Sequence, residues 1–307
     1  MATVVREERT PTTAEQTRAR DPDRRGFVER LGGRVAYEVY GSGDPPVVFV
    51  PPWQIVHSRI WKAQIPYFAR RHLVVAWDNL GNGRSDRPLD PLVHTTLARA
   101  DNLEAVMDAA GAPAAVLVGL SSASGQMVVF ASRHPERVLG LVFVCPAAPI
   151  GEPGRMAEIR FEERLETDDR WAKENIHFWR RDYRGYLEYF FSQAFPEPHS
   201  TKQIEDGVGW GLDTDPESLA ATKRMPTTVD LATWVAMCAS IRAPTLVIQG
   251  TDERLSHVTQ GMAMAEAIPG AQLELIEDGG HMVNARHPVR VNLRIRAFIE
   301  SLGRDER

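Results

Sequence analysis

The chain has 307 residues, 43% of them hydrophobic and 25% charged, with a formal net charge of −5. These proportions are those of an ordinary globular protein, and the acidic balance gives no reason to expect a nucleic acid or an anionic membrane as partner. Two cysteines, Cys145 and Cys238, exclude a disulfide framework; both sit in apolar surroundings and read as buried thiols.

Residues 1–25 are rich in Arg, Glu, Thr and Asp and carry no apolar run, which predicts a disordered tail and no signal peptide. No window reaches the apolar length of a membrane span, so a cytoplasmic location is expected. Two short strands are predicted at about 27–31 and 34–40, joined by the turn signal Gly32-Gly33, and a third at 47–50. A helix over 58–70, a strand over 72–77 and a helix over 94–110 follow. A β-branched run from Ala114 to Val118 then leads through Gly119 to Ser121 and into a helical pattern ending at Arg133-His134-Pro135. A sixth strand is expected from Leu139 to Val144. Alternation of this kind implies a mostly parallel sheet with helices on both faces.

From Pro149 to Met237 the alternation stops and the chain reads as helical. Trp171, Phe178, Trp179, Tyr183, Tyr186, Tyr189, Phe190, Phe191 and Phe195 crowd into this stretch. They serve as the core of that segment or, for a few, as walls of an apolar pocket. Arg180, Arg181, Asp182 and Arg184 interleave with them, as a solvated face or as a guide for a polar end of a ligand. A strand over Pro244–Gln249 closes in Gly250-Thr251-Asp252-Glu253-Arg254. Another, Leu273 to Ile276, closes in Glu277-Asp278-Gly279-Gly280-His281, and a helix runs from about Val289 to Leu302. No internal repeat, metal-ligand spacing or glycine-rich nucleotide loop is present, so neither a metal nor a cofactor is expected.

Ser121 lies between a buried strand and a helix N-terminus. That is the place of a nucleophile elbow, whose sharp turn exposes the hydroxyl beside backbone N–H groups. The usual signature is G-x-S-x-G, and here Ala123 replaces the second Gly. The alternative is Ser121 as a plain helix N-cap. A nucleophilic serine needs a base and the base needs an acid. His281 fits the base, on a glycine-hinged loop at the C-terminal edge of a strand, where an open parallel sheet collects its site residues. The other eight histidines have solvent or packing readings. Cys145, at the end of the sixth strand, is a candidate pocket wall and has no evident base of its own. The acid belongs on the loop after Gln249. The resulting chain order is serine, acid, histidine.

With these residues in place, residues 26 to 302 resemble the α/β-hydrolase superfamily. Asp78-Asn79-Leu80-Gly81-Asn82-Gly83-Arg84-Ser85-Asp86 looks like its D-x-R-G-x-G-x-S loop, and His134-Pro135-Glu136-Arg137-Val138 follows the nucleophile helix in its manner. More narrowly, Pro51–Arg59 and Gly81–Pro88 resemble actinobacterial hydrolase domains, some fused to adenylate-cyclase modules. The resemblance implies the α/β-hydrolase fold, a mostly parallel eight-stranded sheet with helices on both faces. It also implies a helical cap over 149–241 inserted into a core of 26–148 and 242–307.

Two departures from the family pattern bear on chemistry. The family acid stands three residues after the Gly, which makes Glu253 the expected acid by register, with Asp252 the alternative one residue earlier. The family's oxyanion loop reads H-G-x, whereas here the strand runs into Pro51-Pro52-Trp53. Proline has no N–H, so the first donor available there is the Trp53 amide; the Ser122 amide is the second. The expected activity is hydrolysis of a small apolar ester or lactone through an acyl-enzyme. Alternatives are C–C bond hydrolysis of a vinylogous diketone, which uses the same triad, and ligand sensing by a slow hydrolase. A serine at the nucleophile position disfavours dehalogenation.

Overall fold

A computed structural model describes residues 18–154 and 160–303 of the chain. Its strands are β1 (Arg24–Arg30), β2 (Gly33–Tyr40), β3 (Val47–Val50), β4 (Val74–Trp77), β5 (Ala115–Leu120), β6 (Val138–Val144), β7 (Thr245–Gly250) and β8 (Gln272–Ile276). They form a sheet in the order β1-β2-β4-β3-β5-β6-β7-β8. Strand β2 is antiparallel to β1 and to β4, and the remaining pairings are parallel. The helices are α1 (Ile65–Phe68), α2 (Thr96–Ala110), α3 (Ala123–Arg133), α4 (Ile176–Ala194), α5 (Thr201–Gly211), α6 (Pro216–Lys223), α7 (Leu231–Ser240), α8 (Val258–Ala267), α9 (Val283–Arg286) and α10 (Pro288–Leu302).

The central strands are apolar throughout because both of their faces are covered. Residues of β3 and β5 are fully buried, and strand alternation divides them between two apolar clusters. Val47 and Phe49 pack with α1, α9 and α10, while Val48 and Val50 pack with α2, α3, α7 and α8. The hairpin turn holds Gly32 and Gly33 at φ +96° and +134°, values that a side chain would resist.

Three sequence expectations change. The helix expected over 58–70 is a 3-10 turn at Ser58–Trp61 followed by the short α1. Pro66 is the cause: it lacks an N–H and its ring would strike the carbonyl of Lys62, so a helix can start there but not pass through. Arg24 and Arg25, assigned to the tail, belong to β1. Before them Arg18 donates to Glu38 (2.6 Å) and to the Tyr40 hydroxyl (2.8 Å), and Asp23 accepts from the Gly41 amide (2.5 Å). The rest of that tail, residues 1–17, lies outside the described residues. Finally α7, grouped with the cap by sequence, packs against α3 and α8 and buries Trp234 and Cys238 in the cluster beneath the sheet.

Helices α4, α5 and α6 lie over the C-terminal strand edge. Helix α4 is interrupted at Asp182 (φ −148°, ψ 72°), and its aromatic side chains join the cluster on the α10 face. Polar ties fasten these helices to the core loops: Thr214 Oγ1 donates to the Gly81 carbonyl (2.5 Å) and Trp53 Nε1 donates to Thr222 Oγ1 (2.7 Å). Among the described residues no helix is long and apolar enough to cross a membrane.

Gly250 ends β7 where the chain meets the loop that carries His281. A Cβ there would lie 2.3 Å from the Gly279 carbonyl oxygen and 2.4 Å from that of Gly280. Gly250→Ala is therefore expected to destabilise the fold by about 1–3 kcal/mol through overpacking, read by urea denaturation. An unchanged midpoint would show that the two loops are not tightly apposed.

Candidate active site

Three strand ends converge on the site. At the first, β5 turns into α3 through Ser121, which adopts φ +55°, a left-handed conformation that a non-glycine residue holds only when its surroundings impose it. Here they do. The Ser121 amide donates to the Val144 carbonyl (2.9 Å), and the Ser121 carbonyl accepts from Ala147 (3.1 Å) and Ser124 (3.1 Å). Gly119 permits the close approach of helix to strand, since a Cβ on it would lie 2.2 Å from Met127 Sδ and 2.8 Å from the Ala123 Cβ. That contact also explains why Ala123 is tolerated where the usual pattern has Gly: the residue opposite it has no side chain.

At the second strand end, β7 runs into Asp252 and Glu253. The two carboxylates part company. Asp252 is held by its neighbour Arg254, at 2.9 and 2.7 Å, on the outside of the loop. Glu253 turns inward, its side chain fully buried, with Oε2 at 2.6 Å from His281 Nδ1 and Oε1 accepting the Leu255 amide (2.8 Å). A carboxylate only accepts, so Nδ1 carries the proton and Nε2 is left for the cavity. His281 itself is 3% exposed.

The loop after β8 is laced to the acid loop. The amide of Asp252 donates to Gly279 (2.9 Å), Thr251 to Ile276 (3.0 Å), and Asp278 to Thr251 Oγ1 (2.9 Å). From the α4–α6 side, Glu197 accepts the Gly280 amide (2.7 Å). Cys145 lies beneath this junction. Its sulfur accepts from the Gly250 amide (3.4 Å) and donates to the Gly280 carbonyl (3.6 Å), and it stands outside the cavity wall. Burial, and then the Glu253 charge, push its thiol well above the ordinary range, so it is not poised as a nucleophile.

Ser121 and His281 face a common cavity of about 430 Å³, whose apolar walls include Ile55, Val56, Leu120, Met225, Leu255 and Met282. Trp53 and Ser122 line it too. Among the described residues, the backbone N–H groups of Trp53 and Ser122 have no hydrogen-bond partner. The Pro51-Pro52 segment before Trp53 is held from behind by buried amides. Asn79 donates to the Pro52 carbonyl (2.9 Å) and Gln126 to that of Pro51 (2.9 Å). Sequence reasoning missed both residues. The available signal was a polar Gln126 within the apolar run of α3.

Of the nine aromatics crowded into the helical insertion, Phe190 lines the cavity, and the others pack in the insertion's own core or at its rim. Arg180, Arg181 and Arg184 form exposed ion pairs with Glu217, Asp168 and Glu188 and do not reach the cavity. A different cation does: Lys223, bonded to the buried Glu174 at 2.8 Å and stacked 5.3 Å above the Trp53 ring. Glu174 also accepts the Tyr186 hydroxyl (2.9 Å). The Ser256 hydroxyl has no partner among the described residues, and Ser256 also lines the cavity.

A family model described as alpha/beta hydrolase fold matches residues 45–288. A bifunctional esterase/perhydrolase of Acinetobacter calcoaceticus is 31% identical over 90% of this chain and 100% of its own. A carboxylesterase of Bacillus subtilis is 26% identical over 89% of this chain and 86% of its own. Among solved structures, Est816, described as an N-acyl homoserine lactone degrading enzyme, superposes with a TM-score of 0.72 at 26% identity. That match covers 89% of this chain and 99% of the other.

The inward and outward carboxylates make a sharp comparison. Glu253→Gln is expected to lower kcat about a hundredfold or more, because a neutral amide neither stabilises the imidazolium nor fixes its tautomer. Asp252→Asn should change kcat by less than about threefold, since only its surface pair with Arg254 is lost. Steady-state hydrolysis of a p-nitrophenyl ester reads both; the reverse ranking would put the acid at Asp252.

Proposed function

Because the chain belongs to the α/β-hydrolase family, we propose that it is a serine hydrolase that cleaves an apolar carboxylic ester or lactone through an acyl-enzyme. The observation that carries this reading is the buried 2.6 Å pair of His281 and Glu253 beside a cavity that also holds the strained Ser121. Glu253 fixes the tautomer with the proton on Nδ1. His281 Nε2 takes the proton of Ser121 as its oxygen attacks the substrate carbonyl, then returns it to the leaving oxygen. The tetrahedral oxyanion is met by the Trp53 and Ser122 amides, which have no other partner to give up among the described residues. Water activated by the same histidine then cleaves the ester to Ser121. In a lactone the leaving oxygen stays tethered to the acyl group, so the product is one hydroxy acid.

The wall chemistry supports this substrate class. Aliphatic and thioether side chains favour an apolar acyl or alkyl chain, and the helices α4 to α6 act as a cap that keeps water from the bound carbonyl. The names of the relatives, esterases and a lactone-degrading enzyme, agree with that class.

Incubation with a panel of esters and lactones of increasing chain length, read by product mass, tests the reading. We expect turnover that rises with apolar chain length before it falls as the cavity fills. Ser121→Ala is expected to reduce turnover by about 10⁴-fold or more while leaving the melting temperature nearly unchanged. No turnover of any member, with tight binding of one of them, would contradict hydrolysis and favour a sensing role.

A further inference from the structure

Behind the elbow lies a buried cation that the proposed chemistry has not used. Arg99, on α2, is 4% exposed. No carboxylate among the described residues contributes to its electrostatics, and its Nε has no hydrogen-bond partner there. Burial lowers its pKa to about 10, so it stays protonated at neutral pH. Burial, with a smaller contribution from the Arg99 charge, lowers the pKa of its neighbour His94 against the opposing pull of the Pro88 carbonyl and Asp90. An unpaired buried charge is costly to keep. The single hydrogen bond of its guanidinium among the described residues runs from Nη1 to Ser122 Oγ, at 3.4 Å.

Ser122 makes that contact informative. It occupies the N-cap position of α3, yet its side chain makes no capping hydrogen bond, so the usual reason for a serine at that place is absent. A hydroxyl that accepts from a guanidinium keeps its own proton to donate, and among the described residues Ser122 Oγ donates to nothing. The residue lines the cavity. Its backbone N–H is one of the two amides assigned above to the oxyanion, and the other loop supplies just one amide because Pro51 and Pro52 have none.

We propose that the Ser122 hydroxyl, oriented and polarised by Arg99, donates a hydrogen bond to the substrate carbonyl oxygen as it gains charge, as a third donor beside the Trp53 and Ser122 amides. Ser122 then touches the reacting atoms through its side chain, and Arg99 is a positioning residue that acts through it. No bond is made or broken by either. A guanidinium held behind the site in a low-dielectric surrounding also favours the developing negative charge more than the neutral ground state. The effect therefore belongs in kcat and not in KM.

The inference rests on acyl transfer at Ser121, and the test separates the two. Kinetics on the best ester found for the wild type compare Ser122→Ala with Ser122→Thr, both checked by thermal melting. Ser122→Ala is expected to lower kcat by about tenfold to a hundredfold with little change in KM. Ser122→Thr, which keeps a hydroxyl, is expected to recover most of that loss. Arg99→Met should lower kcat in the wild type and have little further effect on top of Ser122→Ala, because both changes remove one interaction. Should Arg99→Met fail to fold, the Ala and Thr variants decide alone. A Ser122→Ala enzyme with kcat within about twofold of wild type, or with KM alone altered, would overturn the inference and leave the Ser121 mechanism standing. A wild type that turns over no ester or lactone would overturn both.

Discussion

The site depends on a backbone constraint at one residue. Ser121 sits at φ +55°, a conformation that costs on the order of 1–3 kcal/mol and lasts only when its neighbours determine it. The neighbours here are the strand β6, whose last carbonyl takes the Ser121 amide, and the helix α3, pressed against β5 across Gly119. The strain turns the hydroxyl out of the sheet toward the cavity. The same turn places the first free N–H groups of α3 beside it, so the proposed nucleophile and part of its electrostatic support come from one local packing arrangement.

The rest of the machinery is held by contacts between loops that are far apart in sequence. Gly250 lets the loop after β7 lie backbone to backbone against the loop that carries His281, and three amide hydrogen bonds lace them. The short Glu253–His281 bond is the outcome of that lacing. On the opposite side, Asn79 and Gln126 fix the carbonyls of two prolines so that the next amide, that of Trp53, is left for the cavity. Each of these buried amides reaches a proline carbonyl through its nitrogen, while Asn79 Oδ1 and Gln126 Oε1 have no partner among the described residues.

Much of the sheet was legible because its strands are short β-branched runs at regular spacing, and β3, β5, β6 and β7 fall within a residue or two of expectation. The elbow was legible for the same reason: Ser121 follows such a run directly. What the sequence concealed depends on contacts it does not encode locally. The register that favours Glu253 over Asp252 is local, but the meeting of Glu253 with His281 depends on the contact between two loops distant in the chain. The expected 58–70 helix is broken at Pro66, a local signal that the helical spacing around it masks. The aromatic run in α4 reads identically whether its rings face a cavity or each other, and most face each other. The cation in the cavity wall is Lys223, about forty residues along the chain from Arg180, Arg181 and Arg184. Arg99 carries no signal at all in a helix that also bears exposed charges.

The most direct measurement is the site of covalent capture by a fluorophosphonate, which reacts with serines activated by a neighbouring base. Intact-mass and peptide mapping of the treated protein should show one adduct, on Ser121, and His281→Ala should lose it while keeping the fold. An adduct on Ser122 or Ser124, or labelling of Ser121 that survives removal of the imidazole, would contradict the account.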